Sequence, residues 1–373
     1  MFKKILLTLL LILIPAISNA EITTKAQYAY MIDYDTGSVL FEKNAHEKMI
    51  PASMTKLMTA TIVFDSLKKG LITNDTEYKV SANAWKKKGS RMFVKYNSSV
   101  KVEDLIRGVI VQSGNDACVV LAEGIAGSEE GFVERMNEMG KKLGLENTHF
   151  LNSNGLPDLG HHSTTRDLAL IAKNIIKNFP EYYNLYSMKS FYYNKIRQYN
   201  RNKLLGKFGV DGMKTGFTDE SGYGVVLSAK KDDRRVILVI NGLASVDART
   251  KEGQKLILYG LNNFINKKVY TANSVVTKVD VAKGKEAQVN LIVKEDVLET
   301  FSREKIASYK FKAKYKTPLI APVVSDTQVG SFEIYDGEKL IRTVALYPEK
   351  NIERISKFRE YLGRPLAFFN GNI

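Results

Sequence analysis

Apolar and polar residues alternate over residues 26–41. Tyr28, Tyr30, Ile32 and Tyr34 share one side, Asp35-Thr36-Gly37 makes a turn, and Val39 and Phe41 return. A period of two broken by a glycine-bearing turn predicts a β-hairpin. The period then changes. Met54, Leu57, Met58, Ile62 and Phe64 stand near helical spacing, and Gly70 follows as a stop, which predicts a helix over 53–69. Residues 102–143 read as helices joined at Gly124–Gly131. Residues 164–178 read as another, opened by the Ser163/Thr164/Thr165 cap with Asp167 in its first turn. Strand character returns at Tyr223–Leu227 and Arg235–Ile240, with Asp232-Asp233 between them, and Glu252–Ile265 reads as a helix.

Past Asn266-Lys267-Lys268 the pattern becomes all-β. Val275/Val279/Val281, Val289–Val293, Tyr309/Phe311/Ala313/Tyr315, Phe332/Ile334 and Ile341–Leu346 are short apolar runs spaced by polar turns. From Glu349 the spacing turns helical again, through Ile352, Ile355, Phe358, Leu362, Leu366 and Phe369, with Arg354, Lys357, Arg359 and Arg364 around them. An apolar stripe with basic flanks fits a helix lying in a membrane surface, which Pro365 would kink. The competing expectation is a helix packed on the protein's own surface.

The N-terminus reads as a leader. Lys3 and Lys4 precede the apolar run Ile5–Ile14, and Ser18-Asn19-Ala20 supplies small residues for cleavage. The run is short for a membrane span, which takes ~20 apolar residues. The expected organisation is therefore a signal peptide 1–20, a catalytic domain 21–268, a β-rich domain 270–347 and a membrane-associating helix 349–373. That organisation predicts an exported protein resting on a membrane surface, expected at the periplasmic face of the inner membrane.

Composition narrows the chemistry. The chain has 373 residues, of which 25% are charged and 44% hydrophobic, values of an ordinary globular protein. Its net charge is +15. A basic balance favours anionic membranes or wall polymers, and Trp85-Lys86-Lys87-Lys88 reads as a solvated basic loop, not a nucleic-acid site. The single cysteine, Cys118, excludes an intramolecular disulfide and a cysteine-based metal framework; lying in an apolar run, it reads as buried. Four histidines leave little room for a metal enzyme, and His161-His162 reads as a loop. No metal or cofactor is expected.

Ser53 and Lys56 stand three apart at a helix start and so share a face. A serine hydroxyl needs a base to become a nucleophile, and lysine serves only when neutral. Burial or a second cation favours that form, and Lys214 is the expected second cation. Alone the pair is a weak signal; an N-cap serine followed by an exposed lysine looks the same. Two further segments change this. Ser113-Gly114-Asn115 follows the apolar run Leu105–Val111, and Lys214-Thr215-Gly216 precedes the strand-like Tyr223–Leu227. A hydroxyl/amide pair can relay a proton and orient a substrate amide. A K-T-G segment on an edge strand can pair with an extended peptide. Together, in this order and at this wide spacing, the three segments resemble the motif set of penicillin-binding proteins and class A β-lactamases.

On these residues the chain resembles the low-molecular-mass penicillin-binding proteins, the serine-type D-alanyl-D-alanine carboxypeptidases of the penicillin-binding protein 5/6 kind. Met54-Thr55-Lys56-Leu57-Met58-Thr59-Ala60, Asn147-Thr148-His149-Phe150, Asn154-Gly155-Leu156 and Lys214-Thr215-Gly216-Phe217-Thr218 all read like family segments. The resemblance covers nearly the whole mature chain. The expected fold is α/β, β-lactamase/transpeptidase-like: an antiparallel sheet flanked by helices, with a helical subdomain from about 80 to 170, a small all-β C-terminal domain and a terminal amphipathic helix. The active site would lie where the Ser53 helix, the Ser113 loop and the Lys214 strand meet.

The resemblance implies a mechanism. Ser53 would attack the carbonyl between the two terminal D-alanines of a peptidoglycan stem pentapeptide, and Lys56 would take its proton. Water would then hydrolyse the acyl-enzyme. Backbone N–H groups of Ser53 and Phe217 would form the oxyanion hole. Ser113, Asn115 and Lys214 would shuttle protons, and Lys214, Thr215, Gly216 and Phe217 would hold the peptide. β-Lactams would acylate Ser53. Arg249 is the candidate for the substrate carboxylate, with Arg201 second; an ordinary surface charge is the alternative for either. One departure is Phe217, where the family often has histidine. An endopeptidase, a β-lactamase and a non-catalytic wall-binding scaffold are competing functions. No Glu-x-x-Leu-Asn run lies between Asn115 and Lys214 to support the β-lactamase.

Overall fold

In a computed structural model, which describes residues 22–356, the N-terminal three-quarters of the chain fold around a five-stranded antiparallel sheet. Its order is Val39–Lys43, Tyr28–Asp33, Arg234–Leu243, Gly222–Lys231 and Val210–Thr218. The last strand is an edge, and it carries Lys214 and Thr215.

Both faces of this sheet are covered, which explains the unbroken apolar runs of its central strands. Along Val236–Ile240 alternate side chains enter different cores. Ile237 and Val239 join the large cluster with helices Lys56–Lys68, Asn115–Ala126 and Thr165–Asn178. Val236, Leu238 and Ile240 meet Leu256 and Ile257 of the helix Val246–Asn262 on the other face. The helix Lys56–Lys68 runs through the larger core, buried at every position from Lys56 to Phe64. A helix apolar all round is an interior helix, and this one has no solvent stripe until its last turn. Thr164 caps the helix Thr165–Asn178 by accepting from Asp167 N–H at 3.0 Å. Cys118 is buried, and loss of solvation pushes its thiol up to about 12.

Several expectations require correction. The helix expected at Glu252–Ile265 begins at Val246, capped by Ser245, and ends at Asn262. The apolar period was read too late because its first turns carry Asp247, Arg249, Thr250 and Lys251. Phe264–Tyr270 is already a strand, paired antiparallel with Val297–Ser302, a strand that sequence reasoning missed. The basic stretch at Trp85 is partly a short helix, Ala82–Lys86, capped by Ser81. His161 lies in a loop, as expected, and is buried there.

Residues 264–348 form the β-rich part, with a six-stranded sheet and its own core around Val289, Leu291, Phe332, Ile334 and Leu346. It meets the catalytic part through polar groups. Asp33, fully buried, accepts from Asn266 Nδ2 at 3.0 Å and from Arg234 Nε at 2.8 Å. Arg234 also donates to the carbonyls of Gly260, Leu261 and Phe264, at the end of the last helix. Ser38 donates to Glu299 at 2.7 Å, and the Thr36 and Thr300 hydroxyls lie 2.6 Å apart.

Glu349–Ser356 is extended, not helical as its spacing suggested. Ile352 is buried in the β-rich core and exchanges backbone hydrogen bonds with Val323, while Ile355 N–H reaches Lys283. Strand pairing satisfies this backbone, so the three-residue spacing of Ile352 and Ile355 carries no helix. The rest of the expected terminal helix, 357–373, and the expected leader lie outside the described residues. Among the described residues no helix is long and apolar enough to cross a membrane.

Candidate active site

The Ser53 turn is a 3₁₀ segment, Ala52–Thr55, leading into the buried helix. Ala52 sits at φ 49°, a left-handed conformation that a non-glycine residue holds only under constraint. The constraint is visible on two sides. A Cβ on Gly155 would fall 1.9 Å from the Ala52 carbonyl oxygen, and one on Gly216 would lie 3.0 Å from the Pro51 oxygen. Both glycines therefore let backbone press directly on the turn that aims Ser53.

Lys56 Nζ lies 2.8 Å from Ser53 Oγ and 2.8 Å from Asn115 Oδ1, and it donates to the Asn154 carbonyl. The side chain is 1% exposed. Burial lowers its pKa to about 8, and the Arg201 charge adds to that lowering, against opposing contributions from Cys118 and Asp116. The neutral amine is thus within reach near neutral pH.

Ser113 ends a π-helical turn, Gly108–Gln112, at φ 65°. Such turns recur at functional sites because they re-aim the residue that follows. Ser113 Oγ accepts from Lys214 Nζ at 2.9 Å. Lys214 is buried, and its pKa is held well below the ordinary value, first by burial and then by the Lys56 and Arg201 charges. Lys56 and Lys214 thus disfavour each other's charged form, and Arg201 acts on both in the same direction, because a buried ammonium is poorly tolerated beside another cation.

The three motifs line a single cleft of about 540 Å³. Ser53, Ser113, Asn115, Thr215, Gly216, Phe217 and Arg249 all face it, with Arg201. The Phe217 ring is 45% exposed and stacks on Tyr223 at 4.1 Å. Arg249 is buried, with its guanidinium 5.8 Å from the Tyr223 ring, and burial lowers its pKa to about 10. Arg201 donates to Ser90 Oγ at 2.6 Å. Two guanidinium groups at one end of a cleft suit a carboxylate.

Three residues with no role in the motifs hold them in place. Asp116 accepts from the N–H groups of Met92, Phe93 and Val94 at 2.9, 2.9 and 3.2 Å, tying the loop beside Asn115 to the helix start. Glu129 accepts from Ser153 N–H at 3.1 Å and Ser153 Oγ at 2.7 Å, and pairs with Lys87 at 3.0 Å. It thereby fixes the segment whose next carbonyl, Asn154, receives Lys56. His161 accepts from Leu151 N–H through Nδ1 at 3.1 Å, so its proton is on Nε2, 2.9 Å from Thr55 Oγ1. Burial lowers its pKa to about 4 and keeps it neutral. The only sequence signal for these three was an ionisable residue next to an apolar helix. Among the described residues no group of three histidine, cysteine or carboxylate side chains is placed to hold a metal ion.

An antiparallel sheet with a buried lysine on its edge strand, and a cleft serine hydrogen-bonded to a second buried lysine, is an arrangement suited to a serine acyl-transfer enzyme. Residues 16–244 match the D-alanyl-D-alanine carboxypeptidase family, peptidase S11, and residues 264–354 match the C-terminal domain of penicillin-binding protein 5. The chain is 38% identical over 338 residues to D-alanyl-D-alanine carboxypeptidase DacD of Salmonella typhimurium, covering 88% of this chain and 85% of that protein. The structure superposes on penicillin-binding protein 5 of Haemophilus influenzae with a TM-score of 0.81 at 36% identity, covering 90% of this chain and 99% of that one. Penicillin-binding protein D2 of Listeria monocytogenes, in its ampicillin-bound form, matches at TM-score 0.60 and 29% identity, over 65% of this chain and 99% of that one. The chain belongs to the D-alanyl-D-alanine carboxypeptidase family.

The Glu129 contacts can be tested. Glu129→Ala strips the acceptor from the Ser153 groups, and a buried donor left unmet costs about 1–3 kcal/mol. The variant is expected to melt at lower temperature and to react more slowly with labelled penicillin, with Glu129→Gln in between. An unchanged acylation rate would remove Glu129 from the site's support.

Proposed function

We propose that this chain is a serine D,D-carboxypeptidase that removes the terminal D-alanine from peptidoglycan stem pentapeptides. The observation that carries the reading is the 2.8 Å contact between Ser53 Oγ and a buried Lys56 whose pKa is lowered to about 8. Neutral Lys56 takes the Ser53 proton as Oγ attacks the carbonyl carbon of the penultimate residue. The oxyanion forms against the backbone N–H groups of Ser53 and Phe217. The C–N bond to the terminal alanine then breaks, the proton passes to the departing amine, and an ester on Ser53 remains. Water cleaves that ester and regenerates the hydroxyl.

The remaining residues divide by position. Asn115 holds Lys56 on one side and takes part in orienting the substrate amide. Ser113 and Lys214, 2.9 Å apart, form a second proton path on the leaving-group side. Thr215 and Gly216 on the edge strand offer backbone to an extended peptide. Arg249, supported by Arg201, receives the substrate's C-terminal carboxylate, as it would the carboxylate of a β-lactam. Phe217 replaces the common histidine without loss, because its part is played by the backbone amide.

The catalytic unit ends with the helix Val246–Asn262, and the β-rich unit begins at Phe264 and holds it away from the membrane. Cleavage after Ala20 releases the leader, and the basic amphipathic stretch 357–373 rests on the periplasmic face of the inner membrane.

Three outcomes are expected. Residues 21–373 incubated with a pentapeptide muropeptide should lose one terminal alanine by mass spectrometry, and Ser53→Ala should not; an intact pentapeptide in both would sink the reading. Because Lys56 acts only when neutral, acylation by penicillin should rise with pH through about 8 and level off above it. Lys56→Arg, which cannot deprotonate, should lose about 10²–10⁴-fold. A pH-flat acylation rate would contradict a lysine base. Residues 21–373 should pellet with anionic vesicles and 21–356 should remain in the supernatant, and equal pelleting would count against the terminal anchor.

A further inference from the structure

A second groove, of about 470 Å³, lies on the other side of the loop that walls the catalytic cleft. The wall is thin. Gly89 and Ser90 line the cleft, while Arg91, Phe93 and Val94 of the same loop line the groove. Asp116, next to Asn115, anchors this loop through three backbone N–H groups and itself lines the groove. The hairpin Ser190–Tyr199 closes the far side, where Asn194 Nδ2 donates to the Phe93 carbonyl at 3.3 Å.

Three aromatic rings in this groove face solvent. Trp85 is 45% exposed, Phe93 40% and Tyr96 59%. Trp85 and Tyr96 stand 6.0 Å apart at 44°, a tilted pair, and the Arg91 guanidinium lies 5.5 Å from the Phe93 ring. Lys95 and Asn194 add donors. Exposed rings gathered in one place are costly unless something covers them. The groove mixes flat aromatic faces with hydrogen-bond donors and offers little aliphatic surface. That chemistry fits a chain of sugar rings, whose C–H faces pack on aromatic rings while their hydroxyl and acetamido oxygens take hydrogen bonds.

We infer that the Trp85–Phe93–Tyr96 groove is a subsite for the glycan strand from which the stem peptide hangs. The inference rests on the carboxypeptidase reading: a stem peptide is covalently joined to its glycan, so a peptide seated in the cleft brings sugar to the cleft's mouth, and the groove begins one residue from that mouth. The occupant is therefore a polymer of N-acetylated amino sugars and not a second protein.

Trp85 is the only tryptophan in the chain, so its emission reports on this groove alone. Peptide-free glycan, freed by an amidase, is titrated into residues 21–373. A saturating change in emission is expected, lost in Tyr96→Ala while that variant's penicillin acylation rate stays at the wild-type value. No change in the wild type, or the same change in Tyr96→Ala, would overturn the subsite. In kinetics, the wild type should prefer a disaccharide-linked pentapeptide over the free pentapeptide by roughly three- to tenfold in kcat/KM. Trp85→Ala should abolish the preference through KM with kcat unchanged. A preference that survives Trp85→Ala would also overturn it. Should neither substrate be cleaved, the carboxypeptidase reading fails by itself, and the fluorescence titration still decides the groove.

Discussion

A lysine buried beside a serine is the constraint on which the rest of this structure depends. Taking an ammonium group out of water is costly, and the cost is relieved by hydrogen bonds or by loss of the proton. Here both routes are provided. Asn115 Oδ1 and the Asn154 carbonyl accept from Lys56, and the depressed pKa makes the neutral form accessible. The same burial that weakens the lysine's hold on its proton fits it for the base role proposed for it beside Ser53. Stability and that proposed reactivity therefore draw on one environment, and loosening the packing around Lys56 would raise its pKa and leave less of the neutral amine.

That environment comes from parts far apart in the chain. One wall is the helix that carries Ser53 and Lys56. Another is the segment Ser153–Asn154, fixed by Glu129. A third is the edge strand Val210–Thr218, where a Cβ at position 216 would lie a tight 3.0 Å from the Pro51 oxygen. Asp116, which is buried, and Glu129, which is partly so, each tie a loop to a helix start. Neither reaches the cleft's reacting atoms, yet each sets where Asn115 or the Asn154 carbonyl stands. The β-rich part joins through Asp33, Arg234 and Asn266, groups that hydrogen-bond in fixed directions, whereas an apolar seam would tolerate sliding. A directional joint suits a domain that has to present the cleft at one orientation.

Much of this was legible from residue order. The period of two over residues 26–41, the Thr164 cap, and the spacing of Ser53 with Lys56 are local signals, and each corresponds to an element within a residue or two. Where local signals failed, tertiary contacts had overridden them. Ile352 and Ile355 are spaced like a helix but are drawn into strand pairing with Val323 and Lys283. The helix Val246–Asn262 starts two turns early because its polar first turns face the cleft and solvent, and so carry no apolar period. Phe264 and Ile265 continue an apolar spacing that the pairing with Val297–Ser302 turns into strand.

The sequence by itself determined the inventory of reactive groups and the family they belong to, because nucleophile, base and edge-strand lysine sit in short motifs whose internal spacing is fixed by one turn of backbone. Only the tertiary structure decided how those groups behave. That Arg201 adds to the lowering of both Lys56 and Lys214, that His161 is a neutral buried support, and that Trp85 belongs to an aromatic groove beside the cleft all depend on segments distant in sequence. Burial and charge act through space, and a pKa is set by whatever the fold brings within a few ångströms.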